Sequence, residues 1–194
     1  TNVLKTSINN DLSYASLDYF SNMGFKNNYG IYFKNLNTVA KNHNIYKSSF
    51  QSQLMSIFQP KSNFPLIMKS LNHEETISPT LSFRLNPGQM KNLTSRAVNI
   101  DNIFSINRLG LSEAYEKGKS LTLGLDYRKE ALGNFSKDLN NDGKISEIED
   151  VEKYFEIKLA GVLRDVEENK ISSSTTLNRK ASNLFGSITN NMSD

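Results

Sequence analysis

Hydrophobic and polar side chains alternate strictly on both sides of a long central excursion. Ile77, Pro79, Leu81, Phe83 and Leu85 fall on one side of an extended chain, and Ser78, Thr80, Ser82 and Arg84 on the other. After a Gly-, Asn- and Pro-containing stretch over residues 86–119, Leu121, Leu123, Leu125 and Tyr127 alternate with Thr122, Gly124, Asp126 and Arg128. Successive side chains of a strand point to opposite faces, so both stretches predict strands with one apolar and one wet face.

The same reading extends along the chain. Two extended segments over residues 11–25 and 29–40 predict a hairpin, with Lys26, Asn27 and Asn28 as its tight turn. Residues 51–59 alternate less cleanly, with Leu54, Ser56 and Phe58 opposite Met55 and Ile57. Residues 60–63 read as a turn because Pro60 presets φ and has no N–H for a ladder, and residues 64–71 as a further strand. Phe155, Ile157, Leu159 and Leu163 alternate with Glu156, Lys158 and Arg164, and the same stretch also carries apolar residues at helical spacing. A strand is the preferred reading, since no convincing helix precedes it. Residues 177–190 complete the series as one more strand. The whole predicts an all-β, antiparallel, up-and-down arrangement of about eight to ten strands, with short turns alternating with long links at 41–48 and 86–119.

Composition changes the picture by asking what the apolar faces meet. The hydrophobic fraction of 37% is below the roughly 45–50% of ordinary globular chains, and it is spread over alternating strands. Extended chain survives in a bilayer only as a closed barrel, and alternating short turns and long loops suit one. The reading is therefore a partial transmembrane β-barrel over residues 1–194, apolar faces toward lipid and Ser, Thr, Asn, Arg and Asp lining a hydrated lumen. The polar, strand-like ends of the chain read as those of a fragment. No apolar run reaches the roughly 18 residues of a membrane helix, and no signal-peptide pattern is present in the segment. A net charge of +3 from 23 basic and 20 acidic residues, interspersed, gives no argument for nucleic acid. With no Cys there is neither a disulfide framework nor a thiolate site.

One stretch carries metal chemistry. Asp138, Asn140, Asp142, Gly143, Lys144, Ser146 and Glu149 fit the twelve-residue EF-hand calcium loop at each defined position. Lys144 would offer its backbone carbonyl and Glu149 a bidentate carboxylate. The alternative is a solvated Asp/Asn/Gly turn, and a soluble calcium-binding β or EF-hand protein stays open as a rival class. His43 and His73, the only histidines, both read as solvated link residues. No nucleophile elbow, phosphate-cradling Gly loop or Cys nucleophile is present, so no enzyme is expected and no catalytic residue is assigned.

The strand 76–85, the loop text Asp-Asn-Ile-Phe-Ser-Ile-Asn-Arg at 101–108, and then Gly110, Glu113, Glu116 and Gly118 ahead of the strand 120–127 resemble the C-terminal barrel of the lipopolysaccharide-assembly outer-membrane protein (LptD, OstA/Imp) family. Leu109 and Leu111 flank Gly110, and Ala114 stands where that family often has Arg. The resemblance implies a bacterial outer-membrane location and lipopolysaccharide as the molecule moved to the outer leaflet. It also implies an LptE-type lipoprotein plug and periplasmic Lpt components as partners, with no required cofactor beyond the calcium considered above. Residues 86–119 would form an extracellular, lid-like loop and residues 138–149 would lie on the periplasmic side. A general porin-like or receptor barrel is the alternative within membranes. Neither the family's jelly-roll nor its gating seam matches residues here.

Overall fold

The computed structural model describes residues 2–90, 96–132 and 153–192. They form an all-β antiparallel sheet of nine strands. The strands are β1 Leu4–Ala15, β2 Tyr19–Phe20, β3 Lys26–Lys41, β4 Gln51–Asn63, β5 Leu66–Lys69, β6 His73–Asn86, β7 Gly118–Ala131, β8 Tyr154–Arg164 and β9 Phe185–Asn191. The order across the sheet is β1-β3-β4-β6-β7-β8-β9, with β2 also on β3 and β5 on β6, and the sheet is not closed into a barrel.

Two predicted turns fall inside strands instead. Lys26, Asn27 and Asn28 open β3 and pair with Asn63, Ser62 and Lys61 of β4. The chain reverses earlier, where Gly24 takes φ +87°, its N–H donates to Ser21 O at 2.9 Å, and Ser21 N–H donates to Phe25 O at 2.9 Å. A positive φ is free only for glycine, so Gly24 outranks the Asn pair as the place to turn. Residues 60–63 likewise stay in β4. The β4–β6 ladder pairs Phe58 with Leu85 and Lys61 with Ser82 but makes no pair at Gln59 or Pro60, which accommodates the missing proline N–H.

β4 and β5 behave as one strand broken at Phe64 and Pro65. Asn63 faces Thr80 and Leu66 faces Ile77 in a single register along β6, and Phe64 N–H bridges the break by donating to Pro79 O at 3.0 Å. The true reversal is at residues 70–72, where Ser70 N–H donates to His73 O. The choice of strand over helix for residues 154–164 holds. The last strand is shorter than expected, because residues 177–184 run irregularly after a 3-10 turn at Ser173–Thr175, held by the Leu163–Ala181 bridge.

The burial of the two faces is inverted relative to a soluble sheet. Along β6, Thr80, Ser82, Arg84 and Asn86 are buried while Ile77, Pro79, Leu81 and Phe83 are exposed. Along β7, Ser120 and Thr122 are buried while Leu123 and Leu125 are exposed. The polar face is covered by the chain's own connection between β6 and β7. Ile103, Leu109, Leu111, Ala114 and Tyr115 of that connection join Leu36, Met55, Ile57, Ala160 and Val162 of the sheet in one buried cluster. The expected hydrated lining is therefore a packed one over this part of the sheet, and the expected lid lies down on the sheet instead of standing beyond its strand ends. Ile103, Leu109, Leu111 and Tyr115, four bulky apolar side chains of a connection with no strand or helix among its described residues, are buried on this face.

Candidate functional site

Small side chains on the sheet make room for the connection, which we term the plug. Phe104 lies over Gly124 so closely that a Cβ there would come within 2.6 Å of the ring. Gln59 Nε2 donates to Phe104 O at 2.9 Å and Arg84 Nη2 to Ser105 O at 2.6 Å, so the sheet grips the plug's backbone. Asn107 closes the plug's tightest bend: its Nδ2 donates to Leu111 O at 2.8 Å and its Oδ1 accepts from Leu111 N–H at 2.9 Å. Gly110 supplies φ +65° within that bend. Asn86 fixes the plug's far end, its Nδ2 donating to Glu116 O at 3.0 Å.

Glu116 is the node. Its carboxylate accepts from Arg84 Nη1 at 2.9 Å and from Arg108 Nε and Nη2, each at 2.6 Å, and pairs with Arg164 Nη1. All four side chains are 4% exposed or less. Arg108 also donates to Thr122 Oγ1 and Ser120 Oγ, both at 3.0 Å, and to Ile103 O at 3.4 Å, so two hydroxyls of β7 and one plug carbonyl satisfy the rest of its guanidinium. Burial alone would raise the Glu116 pKa. The charges and hydrogen bonds of the three arginines overcome it and lower the value to about 2. The plug thus joins β6 and β8 through one carboxylate and β7 through Arg108. A second tie lies toward the β1 edge, where Glu113 pairs with Lys5 and accepts from Tyr46 Oη at 2.7 Å. Burial opposes ionisation of Glu113 too, but the hydrogen bonds from Lys5 and Tyr46 hold its pKa below the usual carboxylate range.

The opposite face of the sheet is a continuous apolar band. Leu66, Ile77, Tyr127, Ile157 and Ile188 form one row across five strands. Leu81 and Leu123 form part of the next but one. On β7 the band is bounded by Lys119 at one end and Lys129 at the other. Lys129 Nζ pairs with Glu75 at 3.1 Å, and His73 Nε2 lies 3.2 Å from the same carboxylate. His73 therefore stands at the start of β6, not in a link. His43 accepts Ile45 N–H through Nδ1 at 3.1 Å and shapes its own loop.

The calcium-loop residues Asp138, Asn140, Asp142, Lys144, Ser146 and Glu149 lie outside the described residues. Among the described residues no three His, Asp or Glu side chains converge as metal ligands. Sequence reading singled out Arg108, Gly110, Glu113, Glu116 and Gly118 one by one, but did not join them to Arg84 and Arg164. The available signal was an arginine beside Ser/Thr side chains on the inner face of β6 and beside Ala160 and Val162 on that of β8, which continues with Lys158 and Glu156. No protein family, curated protein or solved structure matches the chain.

Proposed function

We propose that this chain is part of a bacterial outer-membrane β-barrel of the lipopolysaccharide-assembly type, its apolar band against lipid and its plugged face toward the barrel interior. The carrying observation is the inverted burial: exposed Leu, Ile and Phe on one side, buried Ser, Thr and Arg on the other. From Lys119 to Lys129 the strand rises about 3.3 Å per residue, which at a tilt of about 40° projects to about 25 Å, the height of the apolar belt of outer-membrane barrels. Part of the text that carries the resemblance to the lipopolysaccharide-assembly family, Asn107, Arg108, Gly110, Glu113 and Glu116, lies in the plug, while Gly118 opens β7. The filled inner face favours a gated or guided path over an open porin-type pore. In this reading lipopolysaccharide is the cargo, and an LptE-type lipoprotein and periplasmic Lpt components are the partners.

The test is Leu123→Arg, in mid-band and 46% exposed. At a bilayer midplane an outward Arg costs about 2–4 kcal/mol; on a water-facing surface it changes stability by no more than about 0.5 kcal/mol. Folding of the full-length protein into vesicles is expected to drop accordingly, and surface lipopolysaccharide in cells relying on it to fall. Unchanged folding would refute the membrane reading. Normal folding of the unmodified protein with surface lipopolysaccharide independent of it would refute the cargo.

A further inference from the structure

β1 has the least of its own to hold it. None of its twelve residues is buried, and among the described strands its backbone pairs only with β3. Asn10 and Tyr14 add a long bond with Asn35 at 3.4 Å and a tilted ring contact with Tyr29 at 6.0 Å. Its charged side chains reach further. Lys5 pairs with Glu113 of the plug and lies 4.4 Å above the ring of Tyr46, whose hydroxyl donates to the same carboxylate at 2.7 Å. Asp11 accepts from Lys34 Nζ at 2.9 Å, and that ammonium also donates to Ser112 O of the plug at 3.1 Å. The ring of Tyr115, itself buried, lies 5.3 Å from the same nitrogen. The Lys34 side chain is 6% exposed and that of Asp11 52%. The buried cation thus lies on β3 beneath the plug, while its counter-charge stands on the exposed strand.

We propose that Lys34 makes β1 and the plug one coupled unit, in which the plug stays seated on this side only while β1 is docked on β3. Movement of β1 away from β3 takes Asp11 with it and leaves an ammonium covered by Ser112 and Tyr115 with no carboxylate. A buried charge without a partner is costly, and water is the remedy. Admitting water to Lys34 Nζ requires residues 112–115 to lift. Lifting in turn draws Glu113 from Lys5 and removes the other charged hold on β1. Each event favours the other to the same extent, because coupling of this kind is reciprocal. Glu116 keeps its three arginines throughout, so the plug rises at its β1 side and stays anchored to β6 and β8. Whatever draws on the outer edge of β1 thereby acts on the inner face of the sheet. The coupling does not depend on what covers the apolar face.

The experiment is amide hydrogen exchange of the full-length protein, read by mass spectrometry on peptides covering β1, the plug and the β7–β8 ladder. In the plug, Gly110 and Leu111 N–H groups are hydrogen-bonded to Asn107 and serve as reporters. Asp11→Asn keeps the side chain's size and removes the counter-charge. It should speed exchange over residues 109–116 about tenfold, as loss of one charge-assisted hydrogen bond implies, with the β7–β8 ladder unchanged. Glu113→Gln, made in the plug, should speed exchange along β1 about two- to fivefold, as for a partly exposed pair. Lys34→Met removes the buried charge at similar length, so in that background Asp11→Asn should add less than about twofold. Plug exchange unmoved by Asp11→Asn, or β1 exchange unmoved by Glu113→Gln, overturns the proposal. A full effect of Asp11→Asn that persists with Lys34→Met also overturns it, since Asp11 then acts by another route. A rise shared equally by the β7–β8 ladder is general loosening and overturns it as well.

Discussion

Glu116→Gln tests whether the plug is held by charge. The substitution keeps the side chain's size and removes the one negative charge among Arg84, Arg108 and Arg164, whose side chains are 4%, 1% and 2% exposed. It also turns one carboxylate oxygen into an NH2 group facing guanidinium donors. Three cations are then left buried without a counter-charge, and breaking a buried pair in this way costs about 3–5 kcal/mol. Titration gives a compatible figure. Lowering the Glu116 pKa from its ordinary 4.5 to about 2 corresponds to roughly 3 kcal/mol of linked stability. The folded value lies below the unfolded one, so this contribution is present above pH 4.5 and is lost as pH falls toward 2. The assay is urea unfolding of the full-length protein across that range, paired with limited trypsin digestion. Arg96 is exposed and should be cut in both forms, whereas Arg108 is buried and should become a cleavage site only in Glu116→Gln. The variant should also lose its share of the acid-dependent slope. A midpoint shift worth less than about 1 kcal/mol, with Arg108 still protected, would refute the view that this carboxylate seats the plug.

Two further substitutions probe the glycines under and within the plug. Gly110→Ala places a Cβ at φ +65°, 2.9 Å from Arg96 Cδ and 3.3 Å from its Cβ; a backbone cost of about 1–2 kcal/mol then adds to the loss of the bonds Arg96 donates to Asn107 O and Arg108 O, read as a shift in the unfolding midpoint. Gly124→Val meets the Phe104 ring at 2.6 Å and should cost about 1–3 kcal/mol by overpacking, with tryptic cleavage at Arg108 rising while folding into vesicles is retained.

Much of the sheet was legible because β6 and β7 obey a period of two over their whole length, and a period is a property of local sequence. The turns were less so. An Asn-Asn pair and a Pro-Lys-Ser-Asn run are good turn chemistry, yet both sit in paired strand, because Gly24 alone supplies the positive φ that the first reversal takes and because the β4–β6 ladder skips the position where Pro60 has no donor. The Arg84–Arg108–Arg164–Glu116 cluster was illegible for another reason: its members come from β6, the plug and β8, and nothing local ties residues 84 and 164 to one carboxylate. Alternation by itself states only that two faces differ. Which face is covered depends on what the connection at 87–117 does, and that is decided by its unperiodic Ile103, Leu109, Leu111 and Tyr115 together with a carboxylate that three strand-facing and plug arginines can satisfy. Once that connection seats on the Ser/Thr/Arg side, the Leu/Ile/Phe side is left without any partner from the described chain. An open apolar surface across seven strands is unfavourable in water, so the burial of Glu116 and the exposure of Leu81 and Leu123 are one fact about the fold, and disturbing the first should change what the second can be used for.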